Sequence, residues 1–438
     1  MRISNISLRN VRLFGEQTQT ITFDREKNIA ILLGDNGSGK STVLDVASIL
    51  LSNFVGAFPR NAEKKIADDD VHIDNDGQLS DYLQVSLDLQ VEEHRSIHIM
   101  TSRRGLHKGP QSEVKEIKAY AEELQHAIEN DSRNTTLPLL AYYGTWRGQI
   151  KAPERKRGFQ KVFARWNCYS SALQASTDFK RFFAWYDMME DEERRERERR
   201  LDFSYQSPVL NCVRQAIEAF VGEQYSHPHI DIHPLRFVLE EKVGNNIREL
   251  RLEQLSDGYK IVIAMVADMA SRMAEGNPEM INPLEADGVV LIDEIDLHLH
   301  PLWQRSILLQ LSNVFPNVQF IVTTHSPIML LGAYDIAQVI RLDGCMVEQS
   351  GADYSNYDVG QLLLSELFGM KSILSPHFDA DIAEQNDLLK RYADLSPQEH
   401  LRLADLDRKL AHTSCATSLD DMKLKEYIYQ LGKKMNVL

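Results

Sequence analysis

The sequence predicts an α/β fold that carries a phosphate-binding loop, and three observations point to it. Gly34-Asp35-Asn36-Gly37-Ser38-Gly39-Lys40-Ser41 fits G-x-x-x-x-G-K-[ST]. It lies between a continuous apolar run, Ile29 to Leu33, and a helix in which Val43, Leu44, Val46, Ala47 and Leu50 follow helical spacing. Far downstream, Val289-Val290-Leu291-Ile292 runs directly into Asp293-Glu294. A third apolar run, Phe320-Ile321-Val322, ends in Thr323-Thr324-His325-Ser326-Pro327. Uninterrupted apolar runs of strand length suit a sheet covered on both faces.

Each motif carries chemistry suited to a nucleoside triphosphate. The glycines let backbone N–H groups turn inward around phosphate oxygens, Lys40 reaches the β/γ-phosphates, and Ser41 offers a hydroxyl to Mg²⁺. The expected ATP-binding set is Gly34, Asn36, Gly37, Ser38, Gly39, Lys40, Ser41 and Thr42. The second strand is a Walker B strand. It delivers Asp293 to hold Mg²⁺ with Ser41, and the adjacent Glu294 to polarise an attacking water as general base. His325 follows it by one helical crossover, where an imidazole can contact the γ-phosphate. Between these motifs, Leu255-Ser256-Asp257-Gly258-Tyr259-Lys260 precedes a helical run, Ile261 to Met273, and reads as an ABC signature. Ser256 and the Gly258 backbone would cap the N-terminus of that helix, which can point at the γ-phosphate of ATP held on another subunit.

The remaining elements follow from periodicity. Ile3 to Phe14 and Thr18 to Phe23 read as strands ahead of the loop. Tyr82 to Val91 alternates strictly at Leu83, Val85, Leu87, Leu89 and Val91 and returns through Ser96 to Ile99, an antiparallel hairpin with one buried face. Leu137 to Tyr143 is a further strand, its pre-proline residue held extended. From about Gln160 to Val221 the pattern is helical. There Glu190/Arg194, Asp191/Arg195, Glu193/Arg197 and Glu196/Arg200 are acid-first i,i+4 pairs on an expected water-exposed arm, with Phe182, Phe183, Trp185 and Tyr186 as its packing base. A strand from Ala337 to Leu342 and a partner from Met346 to Gln349 precede a helix ending near Gly369. In the tail, Ser396-Pro397-Gln398-Glu399 is a capping box opening a helix with Leu401, Leu403, Leu406 and Leu410, and a second helix runs from about Leu419 to Gly432.

Composition excludes several classes. At 438 residues and 43% hydrophobic content the chain can bury a large core and is not disordered. No run reaches the length of a membrane span and no signal-peptide core opens the sequence, so a cytoplasmic location is expected. Cys168, Cys212, Cys345 and Cys415 are scattered without ligand spacing, which argues against zinc and against a disulfide framework. A net charge of −15 disfavours whole-surface attraction to nucleic acid. The best local basic patch is Arg147, Lys151, Arg155, Lys156, Arg157, Lys161 and Arg165, interleaved with Trp146, Phe159 and Trp166. It reads as a solvated face ahead of a nucleic-acid or acidic-partner surface.

With these motifs in order, from about Met1 to Gly369, the chain resembles the ABC-type ATPases of the RecF, SMC and OLD group. The opening Ile3-x-x-Ile6-x-Leu8-x-Asn10-x-Arg12-x-Phe14 belongs to the same likeness. Leu137 through Thr145-x-Arg147, Tyr169 through Trp185, and Leu255 through Tyr259 look more narrowly like the ATPase subunit of Septu-type antiphage defence and retron-associated ATPases. The resemblance implies a P-loop ABC-type ATPase head with a mixed sheet, an antiparallel β subdomain, an inserted helical lobe and C-terminal helices. The expected bounds are 1–150 for the N-terminal half-head, 151–240 for the lobe, 241–370 for the half-head with signature, Walker B and switch histidine, and 371–438 for the tail. ATP and Mg²⁺ are the implied cofactors, with slow hydrolysis. A homodimer of heads at least, or a higher homo-oligomer, is implied, as is a separately encoded HNH nuclease through which DNA could be engaged. No membrane partner is implied. Asp296 falls in the D-loop region, a dimer-interface position, and His298 and His300 read as structural or interface groups. A Q-loop glutamine is missing; Gln84, Asp70 and Arg147 are the candidates.

OLD-type enzymes append a metal-dependent nuclease needing a strand-borne Glu and a D-x-D pair on another strand. Asp379-Ala380-Asp381 spells D-x-D but follows Pro376-His377-Phe378 in a non-strand context, so a loop is expected. Two functional classes follow: an ATP-driven regulator of a bound nuclease, or a RecF-like repair ATPase that acts on DNA without one. The acidic charge, the narrower motifs and the lack of a long coiled coil favour the first.

Overall fold

The computed structural model describes residues 1–410 apart from 75, 131–134, 146–163, 176–178, 223, 233–234, 245, 349–353, 355 and 393–394. The basic patch from 147 to 161 with Trp146 and Phe159, the tail helix after Leu419, and Cys415 lie outside the described residues. Two compact units divide the chain, Met1–Gly351 and Ala352–Leu438.

The first unit opens with β1 (Arg2–Arg9), β2 (Gln19–Thr22), β3 (Ile29–Leu33), α1 (Lys40–Val55), β4 (Tyr82–Glu92), β5 (Arg95–Arg104), α2 (Lys115–Asn130) and β6 (Leu139–Tyr143). Next come α3 (Phe179–Arg200), α4 (Pro208–Val221), β7 (Tyr225–Ile232), β8 (Leu235–Val243), β9 (Asn246–Arg251) and α5 (Asp257–Gly276). It closes with β10 (Gly288–Ile292), α6 (Pro301–Val314), β11 (Val318–Thr323), α7 (Pro327–Ala333), β12 (Ala337–Asp343) and β13 (Met346–Glu348).

Three sheets result. The main one has order β13-β12-β3-β11-β10-β6; β12, β3, β11, β10 and β6 are parallel and β13 is an antiparallel edge. In β3, β6, β10 and β11 every residue is buried, as expected of strands covered on both faces. At the free edge of β6, the N–H groups of Tyr142 and Gly144 donate to Ala172 O (2.8 Å) and Ala175 O (3.0 Å), so the segment after Tyr169 satisfies that edge. The second sheet, β2-β1-β4-β5, is antiparallel, and β4 alternates half-buried and buried positions along its length. Between the two sheets lies α1, with 13 of its 16 residues buried in one continuous core with Ile6, Leu87, Leu140 and Leu291. A helix enclosed on this scale cannot be replaced by a loop without exposing that core.

The third sheet, β7-β8-β9, is an antiparallel meander that the periodicity reading did not anticipate; it begins inside the stretch 151–240 and continues past it. Phe237 of β8 packs edge-on to Phe182, Phe183 and Tyr186 of α3, so the aromatic group is the expected packing base, with β8 as its partner.

The charged arm departs from expectation. Glu193–Arg197 (2.7 Å) and Glu196–Arg200 (3.0 Å) form as predicted, but Asp191 meets Arg194, and Glu190 turns away from Arg194 to Arg214 on α4 (3.3 Å). Glu193 is 3% exposed and also holds Arg214 at 3.0 Å. The inner face of the arm is therefore a buried ion cluster, because α4 supplies an arginine that no local spacing rule could reveal. Burial raises the Glu190 carboxyl above its ordinary range, against the pull of the Ile230 N–H and Arg214.

The second unit contains α8 (Val359–Leu364), α9 (Pro376–Lys390) and α10 (Pro397–Leu410). The capping box is present: Ser396 N donates to Glu399 Oε2 (2.8 Å) and Glu399 N to Ser396 Oγ (3.3 Å). Leu403 and Leu406 of α10 pack on Leu388 of α9, while Leu401 stays exposed. Asp379-Ala380-Asp381 is helical rather than a loop. Ser375 stands at the N-cap and Pro376 at the first helical position, a start signal that the sequence reading passed over.

Candidate functional site

The phosphate loop joins β3 to α1, and two of its glycines are dictated by neighbours. Gly39 has φ +94°, and a Cβ there would stand 2.6 Å from the Phe14 ring; a Cβ on Gly34 would meet Leu342 O at 2.2 Å. Any side chain at either position would force the turn apart. Lys40 Nζ donates to Gly34 O and Asp35 O, both at 2.8 Å, and lies 3.4 Å from Ser38 Oγ. Burial lowers the Lys40 pKa, while Asp293, Glu294 and Asp35 oppose the shift and favour the charged form.

The parallel order β3-β11-β10 puts three strand ends side by side, and an open cleft of about 230 Å³ forms there. Its lining includes Asn36, Gly37, Gly39, Lys40, Ser41 and Thr42 from the loop, Asp293 and Glu294 after β10, and His325 after β11. Sequence-distant candidates therefore converge in one place. Gly34 and Ser38 contribute to the same loop through the Lys40 contacts.

One hydroxyl organises the acidic pair. Thr323 Oγ1 donates to Asp293 Oδ1 (2.6 Å) and accepts the N–H of Glu294 (2.6 Å); Ile295 N donates to Thr323 O (3.0 Å). Glu294 adopts φ +47°, a left-handed conformation that costs on the order of 1 kcal/mol for a residue with a Cβ and turns the chain sharply after β10. Thr323 is fully buried. The sequence pattern alone assigns it no role; a threonine ending a strand next to Walker B is the available signal.

Asp293 and the Ser41 hydroxyl, both on the cleft, form a hard-oxygen donor set. That suits Mg²⁺, which takes one or two protein ligands and completes its shell with phosphate oxygens and water. Among the described residues no group of three or more His, Cys, Asp or Glu side chains is placed to hold a metal by itself. In the stretch that follows, Thr324 Oγ1 donates to Asp296 Oδ1 (2.5 Å), and His300 caps α6 by accepting the Leu302 N–H at 3.3 Å.

The opening turn was also undervalued. Arg12 Nη1 donates to Asp45 Oδ2 (2.5 Å) and Nε to Asp70 Oδ1 (2.8 Å), and Tyr142 Oη donates to Asp45 Oδ1 (2.9 Å). Asp70, one Q-loop candidate, is thereby committed to Arg12. Gln84 lies on β4, paired with Arg9 and Ser102. Arg147 is outside the described residues. Leu13, the next residue after Arg12, lines the cleft.

The signature sits elsewhere on the same unit. Ser256 is the N-cap residue of α5, although its side chain forms no cap hydrogen bond, and the following helix buries every residue from Ile261 to Gly276. A Cβ on Gly258 would stand 2.7 Å from His298 O, so the close passage of the chain before α6 requires glycine. Ser256 and Gly258 line an open groove of about 750 Å³ that shares no lining residue with the cleft.

Comparison with known proteins places the chain in a family. Residues 5–216 match an AAA domain family model, and a second AAA domain model matches 171–330. The Retron Vc95 probable ATPase of Vibrio cholerae serotype O1 biovar El Tor is 30% identical over 380 residues, 75% of this chain and 71% of that protein. The chain belongs to the ABC-type ATPases of the retron and Septu defence group. Further members include the Retron Ec83 probable ATPase of Escherichia coli, 28% identical over 75% of this chain and 69% of that one. Septu protein PtuA of Bacillus mycoides (strain KBAB4) is 33% identical over 43% of this ATPase and 27% of its own length. Among solved structures, the SMC head bound to the C-winged helix domain of ScpA covers 80% of this ATPase and 96% of its own chain, at 16% identity and TM-score 0.48. No helix among the described residues is long and apolar enough to cross a membrane.

Proposed function

We propose that this ATPase is the regulatory subunit of a cytoplasmic antiphage defence complex. Two heads sandwich ATP and Mg²⁺, and the head state controls a separately encoded HNH-type nuclease. The observation that carries the proposal is the separation of the two nucleotide elements. Lys40, Asp293, Glu294 and His325 share one cleft, whereas Ser256 and Gly258 line a different groove, which supports a signature that serves a nucleotide held by another copy.

In this reading the loop N–H groups and Lys40 hold the phosphates, and Ser41 and Asp293 hold Mg²⁺. Glu294 takes a proton from the attacking water, and His325 donates to the γ-phosphate. A Mg²⁺ ion held by Ser41 and Asp293 would supply charge neutralisation to the phosphates. Turnover is slow, because a complete site forms only when two heads meet.

The retron and Septu names of the relatives favour a regulator over a RecF-like repair ATPase. The state of the D-x-D pair supports the same view. Asp381 is 3% exposed and held by Lys409, with Arg402 at 3.7 Å, so its charge is already neutralised. The decisive experiment incubates the purified ATPase with plasmid DNA and Mg²⁺ or Mn²⁺, with and without the nuclease encoded beside it. Cutting is expected only with the nuclease present, and its ATP dependence should vanish in Lys40→Ala. Nicking by the ATPase alone that disappears in Asp379→Asn/Asp381→Asn would overturn the regulator reading.

A further inference from the structure

The groove beside the signature is an apolar socket. Tyr259 and Trp303 pack edge to face with ring centroids 4.5 Å apart, Tyr225 adds a third ring at 6.0 Å from Tyr259, and Leu302 stands 73% exposed at the start of α6. Tyr259, Leu302 and Trp303 line the groove together with Ser256 and Gly258. An apolar groove of this kind beside the start of α5 suits a contact surface.

The complementary knob lies on the rim of the nucleotide cleft. Leu13 is 56% exposed and is the large apolar side chain among the residues described as lining the cleft. Both its neighbours are fixed. Arg12, at φ +50°, is tied to Asp45 and Asp70, and Phe14 is 1% exposed against Gly39, with its N–H donating to Val11 O at 2.9 Å. A rigid turn that holds one leucine out in water loses little conformational entropy on docking, and such preorganisation favours tight contact.

We infer that, when two heads share ATP, Leu13 of each copy inserts into the Tyr259, Leu302 and Trp303 groove of the other. The inference rests on the sandwich reading. Whatever brings Ser256 to a nucleotide in the partner's cleft also brings the groove lining to that cleft's rim. A two-fold arrangement makes the contact twice, knob to socket in both directions. The occupant is a second copy of this chain, and the contact extends the dimer beyond the phosphates to an apolar lock.

The test mixes two full-length variants that each carry one added cysteine, Leu13→Cys and Leu302→Cys, with a short bis-maleimide crosslinker and Mg²⁺ plus either ADP or a non-hydrolysable ATP analogue. Dimerisation is followed in parallel by light scattering. Both positions are exposed, so parental melting temperatures are expected, and parental protein controls for the native thiols. The expected result is a crosslinked heterodimer in the mixture with the ATP analogue, at least about tenfold above the ADP sample and above either variant alone, as for a central apolar contact. Leu302→Glu should weaken the analogue-dependent dimer by a similar factor. A dimer that forms with the analogue but yields no heterodimer crosslink, and that tolerates Leu302→Glu, overturns the socket and leaves the sandwich standing. Failure of the parental protein to dimerise with the analogue overturns both.

Discussion

Replacing Thr323 by valine probes the acidic pair without touching either acid. Valine keeps the shape of a fully buried side chain but removes the hydroxyl that donates to Asp293 Oδ1 and accepts from Glu294 N, both at 2.6 Å. A hydrogen bond to a charged group contributes about 1.5–3 kcal/mol, and a peptide N–H left without this acceptor costs about 1–3 kcal/mol. The combined perturbation is roughly 2.5–6 kcal/mol, and it falls on the turn where Glu294 already holds φ +47°. With about half of it felt in the barrier through the orientation of the base, at about tenfold per 1.36 kcal/mol, kcat should fall by ~10–100-fold. Nucleotide affinity should change less, since the loop and Lys40 are intact. Phosphate release and nucleotide titration separate the two effects, and a melting curve registers the lost stability. Thr323→Ser retains the hydroxyl and should recover most of the rate despite its missing methyl group. Parental kcat and parental melting temperature in Thr323→Val would refute the argument that this hydroxyl sets the geometry of the pair.

Three further outcomes are expected. Lys40→Ala should abolish ATP binding, because the β/γ-phosphates lose their main counter-charge, whereas Glu294→Gln should bind ATP, hydrolyse it slowly and accumulate the ATP-bound dimer; filter binding and turnover assays compare them, and parental hydrolysis by Glu294→Gln would remove its role as base. Ser256→Arg mixed with Lys40→Ala should restore one working composite site per mixed dimer, so turnover against mixing ratio should rise above both parents; pure dilution, with subunit exchange verified, would deny a site shared between copies. Glu190 has a raised pKa in the folded state, so the native protein binds this proton more tightly than the unfolded chain; its contribution to stability should be fully present below the unfolded-state pKa and be lost as pH rises from there through the folded pKa. Urea unfolding across that window should show a smaller slope with pH in Glu190→Gln, and an unchanged slope would mean the carboxyl is ordinary.

The nucleotide site was legible because its parts are local. An apolar strand followed by a glycine loop, or by two acids, is written within about ten residues, and parallel pairing of β3, β11 and β10 then brings the three strand ends together. Strict alternation in β4 fixed both the hairpin and its buried face. The meander β7-β8-β9 was missed for the opposite reason. Its strands carry His, Glu, Lys and Arg on open faces, and β9 exposes nearly every residue, so no period of two in hydrophobicity marks them. In α9, Pro376 after Ser375 gave the start, but Asp379 and Asp381 drew attention as a motif, while the cations that neutralise Asp381 come from α10.

Buried ion pairs were the least legible feature, and they bind the site to its surroundings. A charged residue in a sequence reads as surface, because burial without a partner costs several kcal/mol. The partner is supplied by the fold. Asp268 of α5 is 1% exposed, yet it accepts Tyr143 Oη (2.9 Å), Arg272 Nε (2.7 Å) and Arg181 Nη2 (3.2 Å). Tyr143 is the last residue of β6, and its carbonyl accepts the Asp293 N–H at 2.8 Å, while Arg181 belongs to α3 and also holds Glu275. Two arginines facing two acids leave the cluster neutral, and those contacts hold the Asp268 carboxyl below its ordinary range despite complete burial. Loss of one member would leave an uncompensated buried charge, which costs about 3–5 kcal/mol, far more than the pair contributes over an apolar replacement. The cluster therefore acts as a constraint on geometry more than as a source of stability. Through Tyr143 and Asp268, the signature helix, the Walker B strand end and the α3 arm are held in one fixed arrangement.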